Sequence, residues 1–325
     1  MPQPTQSQVH VDAILTNISV AYMQRAENFI ADRVFPVVPV DKQSDKYFKY
    51  TKNDWLRDEA KVRADGTESV GSGYNITTDT YFADVYAIHK DVGDQTRANA
   101  DAPINVDREA AEFVTHRLML RRELQFVSDF MAPGVWGTTA SGVASGASTG
   151  EFNQWNNYTA SDPISDIEEA KQDILSTTGY EANTLVLGYD TFRILKHHPD
   201  LVERIKYTSS QTITEDMLAR MFDIDRVLVS KAVKATNAEG AAEAYAFATS
   251  KTAMLAHVAP SPGLLTPSAG YTFQWTGVSA GLGLTIGTSS FRLDELRATR
   301  IEAELAFDNK VVGSDLGYFW KDAVA

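Results

Sequence analysis

The 325-residue sequence predicts an α+β fold built from more than one packed unit. Three observations carry this. A long amphipathic helix occupies residues 107–131, strand-prone aromatic segments precede it, and short helices alternate with apolar strands from about residue 160. At 43% hydrophobic the chain can bury a substantial core, yet it exceeds the size that one core usually serves.

Residues 1–38 read as a polar arm with few anchors. Ile14, Leu15, Ile18 and Val20 form its one apolar patch, followed by Phe29, Val34 and Phe35. Such an arm can reach ~100 Å when extended, far enough to cross onto a neighbouring molecule. Deleting residues 2–30 is therefore expected to leave the folded core intact. Between Val40 and His89, Tyr47-Phe48-Lys49-Tyr50 and Tyr81-Phe82-Ala83-Asp84-Val85-Tyr86 flank a charged middle that includes Arg57 and Arg63, close after Trp55. This reads as a long hairpin with a polar tip, which must lie against something else because an isolated hairpin is marginal in water.

In the helix at 107–131, Ala110, Phe113, Val114, Leu118, Leu120, Leu124, Val127 and Met131 recur near helical spacing, and Pro133-Gly134 stops it. Its length, ~37 Å at 1.5 Å per residue, suits a strut. Arg108, Arg117, Arg121 and Arg122 read as a solvated or partner-facing side of that strut rather than a DNA patch. Residues 134–150 read as a Gly/Ser/Ala/Thr loop. A new unit begins near residue 160, where Asp162 caps a helix that carries Pro163 at its start and Gly179 past its end. A strand at Thr184–Leu187, helices at 190–198 and 214–222, and strands at Val227–Val229 and 244–258 complete a mixed α/β unit. Near the C-terminus, Arg300 to Phe307 alternates polar and apolar residues. Asp308-Asn309 is expected to turn the chain and Val311-Val312 to return it.

Composition excludes several functions. Forty-three acidic residues against thirty Lys plus Arg give a net charge of -13, and no basic run is present, so if the chain lies near DNA it is expected to contain the DNA rather than grip it. With no Cys, neither disulfides nor thiolate metal sites hold the fold. Met1 to Val11 is polar, contains Pro2 and Pro4, and lacks a signal-peptide pattern. No window offers the ~20 apolar residues of a membrane span. The two nucleophile-elbow matches, around Ser148 and Ser279, lack the strand-then-helix context that strains the serine. The six His residues form no metal pair, and neither a Walker nor a calcium-loop pattern occurs. No catalytic residue, cofactor or metal site is expected.

The order of elements resembles the major capsid proteins of tailed bacteriophages with the HK97-type fold. The resemblance is carried by Asn183-Thr184-Leu185-Val186-Leu187-Gly188-Tyr189-Asp190-Thr191-Phe192 with Leu195 to Leu201, by Ala31 to Val40, and by Tyr271-Thr272-Phe273-Gln274-Trp275. It implies an N-terminal arm at 1–38, an extended β-hairpin loop at 39–88, a peripheral domain at 89–159 with its spine helix and again at 284–325, and a mixed α/β axial domain at 160–283. The implied function is an icosahedral shell assembled in the host cytoplasm, found in the virion, and enclosing double-stranded DNA without reading its sequence. The implied partners are copies of itself in pentamers and hexamers, a separate scaffolding protein and the portal protein; a decoration protein stays open. Ile14, Leu15, Ile18, Val20, Trp55, Arg57 and Arg63 are the expected assembly contacts. A covalent link from Lys49 or Lys61 to Asn309, known in part of the family, is not expected. Encapsulin compartments share the fold and are the alternative, though Met1 to Val11 lacks an amphipathic cargo-docking helix. A serine hydrolase is the third reading.

Overall fold

The computed structural model describes residues 23–100, 104–205, 213–263, 265–277 and 286–325. Ile14, Leu15, Ile18, Val20 and Ser279 lie outside the described residues. Helix α1 (Ala31–Val34) leads into strand β1 (Val37–Val40). Phe29, Ile30, Val34 and Phe35 are buried, so the arm expected at residues 1–38 is embedded in the body from residue 29 onward. The cause is the cluster of large apolar side chains there; the Phe35 ring, for example, sits 4.5 Å from that of Phe130.

Strands β2 (Ser44–Tyr50) and β3 (Ile76–Phe82) pair antiparallel from Ser44 opposite Phe82 to Tyr50 opposite Ile76, forming the hairpin, with the single turn α2 (Lys52–Trp55) opening its tip. Strand β4 (Asp84–Gly93) and helix α3 (Asp94–Ala98) then lead to the spine helix α4 (Val106–Phe130). Asn105 caps α4 by accepting from the Arg108 N–H, and Asp107 and Glu109 place negative charge in its first turn. The buried row of α4 runs Val106, Ala110, Val114, Leu118, then slips by one residue to Glu123, Phe126 and Phe130. The slip marks a change of partner. The first half packs with Ile301, Ala303, Leu305 and Phe307, and the second with Phe35, Met254 and Phe319. One helix thus bridges two cores.

Strand β5 (Thr138–Val143) lies in the stretch 134–150 expected to be a loop, and β6 (Glu151–Asn153) follows it. Their small residues are a packing requirement: a Cβ on Gly142 would collide with the Asp322 carbonyl. Helix α5 (Pro163–Thr178) starts at Asp162, whose carboxylate accepts from the Ile164 and Ser165 N–H groups, and ends at Gly179 with φ 78°. The remaining elements are β7 (Thr184–Gly188), α6 (Tyr189–Leu195), α7 (Pro199–Ile205), α8 (Glu215–Met221), β8 (Arg226–Ser230), β9 (Val233–Ala235), β10 (Tyr245–Phe247), β11 (Ala253–Ala256), β12 (Gly270–Trp275), β13 (Gly287–Leu293), β14 (Ala298–Val311) and β15 (Gly317–Lys321). The single strand region expected at 244–258 is two strands in different sheets.

Two sheets organise the molecule. One has the order β1-β12-β14-β13 with β4 also on β14, and the other is β6-β5-β15-β11-β7-β8. Residues 138–153 and 317–321 therefore complete the sheet of the 184–256 region, across the boundaries drawn from the sequence. Strand β14 also corrects the expected closing hairpin, for it runs through Asp308-Asn309 without turning. Both side chains have in-strand partners: Asp308 accepts from the Phe82 N–H, while Asn309 accepts from the Thr272 hydroxyl and donates to Asp129. Those bonds satisfy the groups that would otherwise favour a turn.

Candidate assembly interface

The hairpin is attached to the body at its base and stands out to solvent beyond it. At the base, Tyr81 stacks on Phe273 at 4.7 Å and Tyr47 lies 5.3 Å from the same ring. Residues 60–80 are exposed throughout. Trp55 is 55% exposed, yet its ring lies 5.4 Å from that of Tyr74 and 6.1 Å from that of Tyr50, a preformed aromatic cluster at the tip. Arg57 pairs with Glu59 at 3.2 Å in solvent, and Arg63 is exposed. Under the hairpin runs a groove of about 1110 Å³ whose lining includes Phe48, Trp55, Leu56, Leu265, Tyr271 and Leu316. The Lys52 ammonium reaches Asp315 on the far wall at 2.6 Å. Exposed apolar surface of this kind is unusual in a monomer.

Trp55, Arg57 and Arg63 are all exposed along this part of the hairpin. The structure also shows a site that sequence reasoning missed, the root of the arm. The fully buried Glu123 carboxylate accepts from the Ile30 and Ala31 N–H groups, each at 2.9 Å, and from the Ser230 hydroxyl at 2.8 Å. Burial holds its pKa above the ordinary value of 4.5, against the pull of those three bonds. At the other end of α1, the Arg226 guanidinium donates to the Arg33 and Val34 carbonyls. Each end of this one-turn helix is therefore met by a charge from a different element. Upstream, Gln24 exchanges two hydrogen bonds with the Val233 backbone, and its own N–H reaches His116 Nε2 at 3.2 Å. The available signal was Glu123 itself, an acid on the apolar row of α4.

One constellation has the distances of a hydrolase triad. Ser161 Oγ lies 3.0 Å from His198 Nε2, and His198 Nδ1 lies 3.6 Å from Asp200. The Ser161 proton, however, is given to the Asn157 carbonyl at 2.8 Å. The imidazole then donates through Nε2, and its buried Nδ1 has no hydrogen-bond partner. In that tautomer the histidine cannot take a proton from Ser161. Ser148 bonds to Glu151 and is followed by strand β6 rather than a helix, so its hydroxyl caps a loop.

No family model matches the chain. It is 28% identical over 233 residues to the major capsid protein of Burkholderia phage BcepMu, covering 69% of this chain and 70% of that one. It is 25% identical over 224 residues to the major capsid protein of Pseudomonas phage JBD67, covering 68% and 69%. Among solved structures, a phage-related protein of Bordetella bronchiseptica RB50 superposes with a TM-score of 0.68 at 24% identity, over 92% of this chain and 94% of that one. The capsid of cyanophage P-SCSP1u gives 0.60 at 10% identity, over 96% and 92%. The encapsulin SrpI of Synechococcus elongatus shares the fold at 0.57 and 12% identity, over 96% and 95%. The fold is that of HK97-type shell subunits, a spine helix joining a hairpin-bearing sheet to a mixed α/β unit. Within that class the curated relatives of this chain are major capsid proteins of phages, and they support a capsid-shell role for it.

Proposed function

We propose that this subunit forms pentamers and hexamers that close into the shell around double-stranded DNA, with a purely structural role. The supporting observation is the exposed aromatic tip held over an apolar groove, neither of them covered by the described residues. The six-stranded unit is then the axial domain, whose loops meet around the fivefold and sixfold axes. The spine helix and the other large sheet form the peripheral domain, and the hairpin with Trp55, Arg57 and Arg63 overlaps a neighbour. The arm, with Ile14, Leu15, Ile18 and Val20, crosses onto another subunit. A separate scaffolding protein guides assembly in the host cytoplasm and the portal occupies one vertex. Among the described residues no helix is long and apolar enough to cross a membrane.

Electron microscopy and sedimentation of the purified protein, with and without its scaffold, test this reading; shells or capsomers are expected. A monodisperse monomer at every concentration would sink it. Particles filled with an enzyme instead of a genome would indicate a compartment shell. Hydrolytic turnover abolished by Ser148→Ala or Ser279→Ala would show that the purely structural role is incomplete.

A further inference from the structure

From Phe113 to Ser128 the spine helix offers solvent only positive charge. Arg117 and Arg121 are exposed and Arg122 is half-buried, while Glu123, the one carboxylate of this stretch, is fully buried. The cations are held on aromatic faces. Arg117 lies 5.0 Å from the Phe113 ring centroid, Lys90 of β4 lies 5.4 Å from the same ring, and Arg121 lies 5.0 Å from that of Tyr86. Arg121 also bonds to the neutral Gln125. Among the described residues, none of Lys90, Arg117 and Arg121 forms an ion pair. A stacked cation keeps its full charge, so this strip projects an uncompensated positive field.

The opposite surface of the same layer has the reverse sign. Ile301, Ala303 and Leu305 of β14 pack with the apolar row of α4, so the strand's alternation puts Glu302 and Glu304 on the far face. That face also carries Asp91, already neutralised by Arg300 at 2.7 Å. In a chain of net charge -13, such segregation decides which side a polyanion would approach.

We propose that the helix face turns toward the interior of the shell, and that Lys90, Arg117 and Arg121 contact phosphates of the enclosed duplex without reading its bases. The inference rests on the capsid reading and adds to it the subunit's orientation and its DNA-facing residues. Phosphate contacts of this kind position a duplex and carry no sequence information.

Arginine-selective modification by phenylglyoxal, read by peptide mass, tests it on DNA-filled particles and on shells emptied of DNA. Arg117 and Arg121 are expected to react several-fold more slowly in filled particles. Equal rates in the two overturn the proposal, whether both are fast, which places the strip outside, or both slow, which buries it between subunits. In parallel, the doubly substituted Arg117→Gln, Arg121→Gln chain is expected to form filled particles that release DNA at lower temperature than the wild type. Unchanged release overturns the proposal as well. If the wild-type chain forms no DNA-filled particle at all, the capsid reading itself fails and this inference falls with it.

Discussion

The six-stranded unit and the hairpin are folded by different means. Strands β7 and β11 are buried along their whole length, and Trp155, Leu185, Leu195 and Trp320 close a core that needs no neighbour. The hairpin has a small aromatic base and a tip whose apolar groups face water. The first region explains why a subunit folds; the second explains why it does not stay alone. Substitutions in the two should therefore separate stability from assembly.

The largest effect on the subunit is expected in the first region. Leu185→Ala should cost about 2–5 kcal/mol, through lost burial and the cavity left behind. Urea unfolding of unassembled protein would show it as a lower midpoint with an unchanged slope. A cost below that of an exposed substitution would show that the sheet is not the stability core.

The junction between the regions titrates. The folded protein binds the Glu123 proton more tightly than the unfolded chain does, because burial raises this pKa above 4.5. Its contribution is full below about pH 4.5 and is lost as pH rises through the raised value. His116 runs the other way. Burial holds it below 6.5, so its stabilisation, which needs the neutral ring, is present above 6.5 and lost as pH falls through the lowered value. Glu123→Gln should cost about 1–3 kcal/mol, since the amide cannot accept all three bonds. It should also flatten the loss of stability above pH 4.5 while leaving the acid-side loss from His116. Denaturation midpoints across that range measure both; an unchanged profile would remove Glu123 from the clamp.

Much of this architecture was legible because local signals agreed with the fold. Asp162, Pro163 and Gly179 delimit α5 by caps that need no tertiary partner. Likewise, the fully buried β7 reads as an apolar run. The errors fall where distant partners override local preference. Asp308-Asn309 resembles a turn until Phe82, Thr272 and Asp129 are known to bind it, and the glycine-rich 134–150 segment becomes a strand through β15, far along the chain. Trp55 was singled out only as a candidate assembly contact, and its exposure came from the structure. Glu123 was passed over because a single acid in a helix is ordinarily solvated, and its partners at Ile30, Ala31 and Ser230 are remote in sequence.

Assembly should respond to the second region while stability does not. Trp55→Ala is expected to change subunit stability by no more than about 0.5 kcal/mol, as for other exposed positions, yet to lower the yield of closed particles. The arm is tested by truncation, and the structure moves the cut. Removing residues 2–30 would take away Phe29 and Ile30, both buried, whereas removing 2–22 spares every described contact. The shorter truncation should keep the circular-dichroism spectrum and unfolding cooperativity but fail to give heat-resistant shells. Normal shells from it would show that the arm is no clamp.

A small effect on stability is also expected at the latch across the groove. Lys52 and Asp315 meet at 2.6 Å, but their side chains remain 42% and 51% exposed, so solvent screens the pair and holding two long side chains costs entropy. Lys52→Ala should therefore change unfolding by less than about 1 kcal/mol, with the difference fading in high salt. Its consequence for the hairpin is a separate question. The latch ties α2, at the start of the tip, to a wall of the groove, and releasing it frees the tip to move without disturbing the Tyr81–Phe273 stack at the base. Hydrogen exchange should then accelerate at Tyr50 to Leu56 and stay unchanged at Tyr47 and Tyr81. If exchange rises along the whole hairpin, the latch supports the base as well; if it rises nowhere, the aromatic cluster of Tyr50, Trp55 and Tyr74 holds the tip unaided.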